Sequence, residues 1–140
     1  MRPSTAHLKT LREETGLTLN EAADLAGVSL RTWKYWESPE RDQPARPDVI
    51  EQLERILAVQ DRGIDAVLEA HGSIPEDTVM TLTRYRTDGA LARSHPGFPG
   101  GLSAHTAMIG RCVRELRSEG RDAIVVWDDD PAAATGADFL

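Results

Sequence analysis

The sequence predicts a mainly α-helical protein, in which an N-terminal helical domain is joined by a long helix to a small C-terminal α+β part. Three observations lead to this fold class. Two short segments near the N-terminus each begin with a good helix-capping residue. Residues 47–71 repeat apolar side chains at helical spacing, and residues 78–127 place two β-rich stretches around one amphipathic segment. The 140 residues suit one domain or two very small ones.

The first two helices follow from local signals. Residues 7–15 predict a short amphipathic helix that turns Leu8 and Leu11 inward and ends at the following glycine. A second helix begins at Thr18, which stands with Glu21 in the T-x-x-E arrangement of a capping box. The threonine hydroxyl then accepts a backbone N–H of the first turn, and the glutamate accepts the N–H of the cap residue.

A tight turn and a third helix come next. Gly27 can adopt a positive φ and turn the chain sharply, and Ser29 is a good cap for a helix over Leu30–Glu37. Trp33 and Trp36 are three residues apart, so they share one face, which we predict to be buried in the core. Two capped helices joined by so short a turn are typical of a helix-turn-helix.

The remaining elements are a long helix and an α+β region. The long helix is predicted over residues 47–71 and begins at Pro47. A strand follows within residues 78–87. Glycines and prolines predict a loop over 88–102, Ser103 is expected to cap another helix, and residues 123–127 predict a buried strand. On the first strand, one face would carry Val79, Thr81, Thr83 and Tyr85.

These elements predict three regions along the chain. Residues 1–72 would form the helix-turn-helix domain, residues 73–128 a small α+β dimerisation domain, and residues 129–140 a flexible acidic tail. Two strands and one helix make a marginal fold when alone. We therefore expect the C-terminal domain to pair with a second subunit as a homodimer.

Composition narrows the class of protein. Apolar residues make up 40% of the chain, no run is long enough to cross a membrane, and the start lacks the apolar segment of a secretory signal. A single cysteine fits a reducing compartment, so we expect a cytoplasmic protein without a membrane partner. The net charge of −7 argues against indiscriminate nucleic-acid binding, which requires a basic protein.

The sequence offers no catalytic or metal-binding constellation. Cys112 lies in the apolar stripe of its helix and is interpreted as a core residue, and the spacing of His71, His95 and His105 matches no zinc signature. The acidic run Asp128–Asp130 is interpreted as solvated tail. No nucleophile stands beside a base, so we expect no enzyme, no metal and no cofactor.

The helix-turn-helix segment resembles a known superfamily. The residues that carry the resemblance are Gly16-Leu17-Thr18, Ala23, Gly27-Val28-Ser29 and Trp33-x-x-Trp36-Glu37. They are similar to the Cro/CI-type (XRE-like) helix-turn-helix proteins, with a lambda repressor-like fold, over about residues 5–60. The long helix and the C-terminal half also resemble the two-domain anti-CRISPR-associated phage regulators and their YdiL-like relatives. In that group the N-terminal domain binds inverted repeats in a promoter, and the C-terminal domain makes the dimer.

The resemblance implies a set of DNA contacts. Arg31 is the main candidate for reading a base, because a guanidinium can bind guanine O6 and N7 together. Leu19 stands where many members carry a glutamine that holds the DNA backbone, with Asn20 as its possible replacement. The expected DNA-binding residues are Thr18, Asn20, Ser29, Leu30, Arg31, Thr32, Lys34, Tyr35, Arg41, Gln43 and Arg46.

Together these features predict a sequence-specific transcriptional repressor. It would bind an inverted-repeat operator as a dimer and regulate its own phage-type or prophage-type operon. Two alternatives stay open. The protein could be an antitoxin or a protein-binding adaptor with the same helix-turn-helix, or it could bind RNA as well as DNA, as some members of the narrower group do. Glu37 is expected to order the loop after its helix, by hydrogen bonds or with an arginine, and not to contact DNA.

Overall fold

The structure of the protein is a computed structural model that describes residues 3–41 and 43–135. It is mainly helical, with a two-stranded parallel sheet in the C-terminal half. The elements in chain order are α1 (Thr5–Thr15), α2 (Leu19–Ala26), α3 (Leu30–Trp36), α4 (Pro47–Gly72), β1 (Met80–Arg84), α5 (Asp88–Ser94), α6 (Gly101–Ser118), β2 (Ala123–Trp127) and a 3-10 helix, Pro131–Thr135. Within residues 3–41 and 43–135, no helix is long and apolar enough to cross a membrane.

The N-terminal core is built by α1 to α4. Leu8 is fully buried, as the helical pattern of α1 predicts, and Leu11 packs against the same core half-buried. Trp33 and Leu53 meet Leu8 there at 1% and 0% exposure. The burial of these large side chains is what holds three short helices of marginal intrinsic stability together.

Helix α4 connects this core with a second one. Its apolar stripe supplies Val49, Ile50 and Leu53 to the first core, and about three turns later Ile64 and Val67 to the second. The helix is uninterrupted over all 26 residues, so its internal glycine does not break it. The predicted long helix is confirmed.

The second core lies between α6 and the sheet. Strands β1 and β2 run parallel, in a register that pairs Met80 with Ala123 and Arg84 with Trp127. The buried stripe of α6 contains Cys112, as the sequence predicts, and it packs on Met80 and Leu82 of β1. The parallel pairing follows from the connection, because α5 and α6 carry the chain back to the starting end of the sheet.

Two sequence predictions for this half were wrong. Residues 88–94 of the expected loop form α5, which is capped by the Thr87 hydroxyl. Helix α6 begins at Gly101, ahead of the expected cap Ser103. Met80 and Leu82 of β1 belong to the core under α6, and Thr83 and Tyr85 of the face named in the sequence prediction are buried as well.

The predicted burial of β2 was also wrong. The strand exists over the predicted residues, but Ile124, Val125 and Trp127 are 53%, 41% and 42% exposed. The strand lies at the edge of the sheet, where α6 covers only part of one face. After it, Pro131–Thr135 folds back against β1, and residues 136–140 of the expected tail lie outside the described residues.

Candidate nucleic-acid interface

The start of α2 has the predicted capping box. The Thr18 hydroxyl accepts the backbone N–H of Glu21 at 3.1 Å, and the Glu21 carboxylate accepts the backbone N–H of Thr18 at 2.9 Å. Burial opposes ionisation of Glu21, but hydrogen bonds from the Thr18 backbone, the Ser103 side chain and the Thr18 side chain lower its pKa overall. The first turn of α2 is therefore fixed in place beside α6.

The turn between α2 and α3 also follows the sequence prediction. Gly27 ends α2 with φ at 71°, a left-handed backbone conformation that residues with a Cβ rarely adopt. The Ser29 hydroxyl then accepts the backbone N–H of Thr32 at 3.1 Å and donates to the Thr32 hydroxyl at 3.0 Å. The orientation of α3 relative to α2 is thus set by a fixed turn and a fixed cap.

The inner face of α3 is sealed by its tryptophans. Trp33 is 1% exposed, and its indole N–H donates to the Glu37 carboxylate. Trp36 is half-buried and lies against Trp33, with 5.6 Å between the ring centroids. Both indoles pack against the N-terminal core, so the tryptophans are core residues and the opposite face of α3 points to solvent.

An ion pair that the sequence did not reveal locks the end of α3. Arg12 donates to the two carboxylate oxygens of Glu37 at 2.6 and 3.1 Å, and to the Leu17 carbonyl at 3.0 Å. The two side chains are 11% and 6% exposed. Glu37 does pair with an arginine, which was one of the options predicted for it, but the partner lies 25 residues away on α1 and no local pattern identified it.

The outer face of α3 is polar and exposed. Arg31, Lys34 and Tyr35 are exposed and lie three or four residues apart, so they share one side of the helix. Leu30 and Thr32 are half-buried at its edge. This side is opposite to Trp33, as predicted.

The loop after α3 extends the exposed surface. The Arg41 guanidinium stacks on the Tyr35 ring, with 3.4 Å between Cζ and the ring centroid. Arg46 donates to both Asp48 oxygens at 3.1 and 2.6 Å, which leaves less of its positive charge for a ligand. Gln43 is exposed in the same loop.

The residues around the N-terminus of α2 divide into two groups. Thr18 and Asn20 are exposed, whereas Leu19 is half-buried and packs against the N-terminal core. Leu19 thus has a structural role here. Asn20 is left as the exposed polar side chain of that first turn.

His95, His105 and Cys112 lie elsewhere, in the C-terminal half. The rings of His95 and His105 meet the Tyr85 ring edge-on, and the Tyr85 hydroxyl lies 3.2 Å from His95 Nε2. Burial lowers the pKa of His95 and raises the pKa of the Cys112 thiol to about 12. Among the residues that the structure describes, no three His, Cys, Asp or Glu side chains are grouped as metal ligands would be.

The comparison with protein families agrees with this geometry. Residues 5–67 match the model of a helix-turn-helix domain, from the start of α1 through most of α4. No curated protein matches the chain significantly. The N-terminal part of this protein is therefore similar to helix-turn-helix domains, which suggests DNA binding and a regulatory role.

Proposed function

We propose that this protein is a sequence-specific transcriptional repressor that binds an inverted-repeat operator as a homodimer and has no enzymatic activity. We further propose that the operator controls its own operon, of the phage or prophage type that the narrower resemblance implies. One observation carries the proposal. The outer side of α3 presents Arg31, Lys34 and Tyr35 to solvent, while its inner side is held by Trp33.

Arg31 is the proposed base-reading residue. It lies in the first turn of α3, the part of a recognition helix that contacts base edges in the major groove. Its guanidinium is exposed, and a bidentate contact to guanine O6 and N7 discriminates against other bases by about 1–3 kcal/mol. Leu30, beside it, offers an apolar surface for a thymine methyl group.

The surrounding polar residues are proposed to contact the DNA backbone. Lys34 lies one turn after Arg31, and Arg41 is held on the Tyr35 ring at the rim of the same face. The hydroxyls of the cap residues Thr18 and Ser29 already accept backbone N–H groups of their own helices. Their proposed contribution to DNA binding is therefore the backbone N–H groups of two helix N-termini. The other proposed backbone contacts are Asn20, Thr32, Gln43 and Arg46.

A dimer is proposed because one acidic subunit carries few cations on this face. The chain has a net charge of −7, so long-range attraction to DNA is weak, and two recognition helices on one operator would double the number of specific contacts. The other half of the molecule offers an apolar strand edge. Ile124, Val125 and Trp127 are exposed there, beside a sheet of only two strands.

The backbone of β2 is suited to pair with a second copy of itself. Met80 donates to the Asp122 carbonyl and Asp128 donates to the Arg84 carbonyl, so these β2 residues turn their backbone groups toward β1. Parallel strands alternate this direction residue by residue. By that alternation, residues 123, 125 and 127 turn their N–H and C=O groups toward the open edge.

If the two-fold axis of the dimer passed beside Val125, all of these backbone N–H and C=O groups could form hydrogen bonds with the partner strand. An antiparallel β2 pair would then set Val125 opposite the partner's Val125, and Ala123 opposite the partner's Trp127. This arrangement gives about six new backbone hydrogen bonds and lays each indole over a small alanine. The two-stranded sheet would become a four-stranded one.

DNA binding is tested by a gel shift on the DNA immediately upstream of the gene. We expect a specific complex, and we expect Arg31→Ala to weaken it by about 1–3 kcal/mol because the base contact is lost. Arg62→Ala, an equally exposed arginine on α4, is the matched control and should bind like the wild type. Normal operator binding by Arg31→Ala would contradict the assignment of the base-reading residue.

The dimer is tested by light scattering. We expect the wild type to have the mass of two chains, and Val125→Lys to shift it toward one chain, because two ammonium groups would meet at the axis. Val79→Lys is the matched control, since Val79 is also an exposed valine, at 44%, but precedes β1. A wild-type monomer that co-purifies with a different protein would favour the antitoxin or adaptor alternative, whose partner could occupy the same edge.

A further inference from the structure

We propose that Gln60 fixes the angle between the helix-turn-helix domain and the C-terminal half, and thereby the spacing of the two half-sites that the dimer accepts. The proposal rests on the proposed function, in which a dimer binds an inverted repeat. It concerns a positioning residue, because Gln60 is completely buried and so has no exposed atom that could contact DNA. Four observations lead to it. They concern the region where the end of α1, the middle of α4 and the start of α6 meet, which we call the joint.

Helix α6 belongs to both cores of the molecule. Ala104, near its start, is fully buried in the N-terminal core with Leu8 and Trp33. Met108 and Cys112, one and two turns later, are buried in the core under the sheet. One helix therefore connects the DNA-binding half to the sheet without an intervening flexible linker.

The contact of α6 with the helix-turn-helix domain is close. A Cβ placed on Gly16, at the end of α1, would lie 2.6 Å from Ala107 Cβ and 2.9 Å from the Ser103 carbonyl oxygen. The side chain of Ser103 also hydrogen-bonds to Glu21 of the α2 capping box. The start of α6 is thus fitted directly to the residues that open the helix-turn-helix.

Gln60 is the polar group at the centre of this joint. From the middle of α4, its Nε2 donates to the carbonyl of Thr15 and to the carbonyl of Ala104, both at 2.9 Å. Thr15 is the last residue of α1, where helix carbonyls lack intrahelical partners. One buried amide therefore ties three helices together and satisfies a carbonyl that no water reaches.

A rigid joint has a direct consequence for a dimer. The recognition helix α3 lies on one side of it and the proposed dimer edge β2 lies on the other. Any rotation at the joint moves both recognition helices of the proposed dimer, by displacements that the two-fold axis relates, and so changes the distance between them. If the joint is stiff, the dimer should accept one half-site spacing, and if it is loosened the dimer should accept several.

The experiment compares spacing preference with half-site affinity. Half-sites are first selected from a random duplex library with the wild-type protein, and duplexes are then made with the spacing changed one base pair at a time. We expect the wild type to lose about tenfold or more in affinity one or two base pairs from its best spacing. We expect Gln60→Met to bind a single half-site within about threefold of the wild type, yet to vary less than about threefold across the spacings.

Two further variants complete the test. Gln52→Met makes the same change on the same helix at a half-buried position outside the joint, and it should keep the wild-type spacing profile. Gln60→Asn decides the question if Gln60→Met does not fold, because its amide is one methylene too short to span both carbonyls. A folded Gln60 variant with the full spacing preference would overturn the inference alone. If the wild type selects no recurring half-site from the library, the proposed function is overturned, and the inference with it.

Discussion

At the level of single residues, the buried contact of Arg12 with Glu37 supports the end of α3, the proposed recognition helix. Glu37 accepts from Arg12 and from the indole of Trp33, so one carboxylate holds α1 and α3 together. Both charges are removed from water, and their pairing mainly avoids a large desolvation penalty. The pair also fixes the position of α1 relative to the end of α3, because Arg12 holds both carboxylate oxygens of Glu37.

The first prediction concerns this pair. We expect Glu37→Ala to lower the free energy of unfolding by about 3–5 kcal/mol, because it leaves the Arg12 guanidinium buried without its counter-charge. Urea unfolding followed by tryptophan fluorescence measures the change. Glu40→Ala, an exposed glutamate in the next loop, is the control and should change the stability far less. Equal effects of the two substitutions would show that the pair is not held as described.

At the level of elements, the capping box of α2 links the helix-turn-helix to α6. Thr18 and Glu21 satisfy each other's backbone N–H groups, and the Ser103 side chain adds a hydrogen bond to the same carboxylate. Burial opposes ionisation of Glu21, but these bonds are stronger to the carboxylate than to the neutral acid, so its pKa lies below the ordinary value of 4.5 in the folded protein.

The second prediction is the pH dependence of this element. A lowered folded pKa means that Glu21 stabilises the folded state fully above its ordinary pKa of 4.5, and that this contribution is lost as the pH falls through the folded value. We therefore expect the stability difference between wild type and Glu21→Gln to shrink on acidification below about pH 5. Urea unfolding at a series of pH values measures it, and a difference that is independent of pH would contradict the assignment.

The exposed edge of strand β2 is a second feature at this level. A two-stranded sheet with Ile124, Val125 and Trp127 exposed leaves both apolar surface and backbone hydrogen-bonding groups at one edge. Such edges pair with other strands unless something covers them. The proposed β2–β2 contact is the pairing that a symmetric dimer provides.

At the level of the whole molecule, an acidic protein attracts DNA weakly at long range, so its binding depends on a local exposed surface. The net charge is −7, yet Arg31, Lys34 and Arg41 lie on or beside one exposed helix face. Acidic residues elsewhere repel DNA from other surfaces. The expected result is weak non-specific binding and a preference for complexes in which both recognition helices are engaged.

The third prediction is the salt dependence of operator binding. We expect the logarithm of the association constant to fall linearly with the logarithm of the salt concentration, by about 0.9 for each phosphate contact. Arg41→Ala would remove one proposed contact from each subunit, so the slope should become shallower by about 2. Fluorescence anisotropy at several salt concentrations measures it. Arg62→Ala should leave the slope unchanged, and an unchanged slope in Arg41→Ala would remove Arg41 from the phosphate contacts.

The sequence by itself determined the parts whose signals are local. Thr18, Gly27 and Ser29 each act within three or four residues, so the helices and the turn of the helix-turn-helix could be predicted from the chain alone. The apolar repeat of α4 determined the long helix in the same way. The buried side of α3 also followed, because Trp33 and Trp36 are three residues apart.

The tertiary structure decided what depends on residues far apart in the chain. The partner of Glu37 is 25 residues away, and Gln60 meets carbonyls 44 and 45 residues away, so no spacing in the sequence could reveal either contact. The burial of β2 was mispredicted for the same reason. An apolar strand is buried only where another element covers it, and α6 covers β1 but leaves most of β2 open.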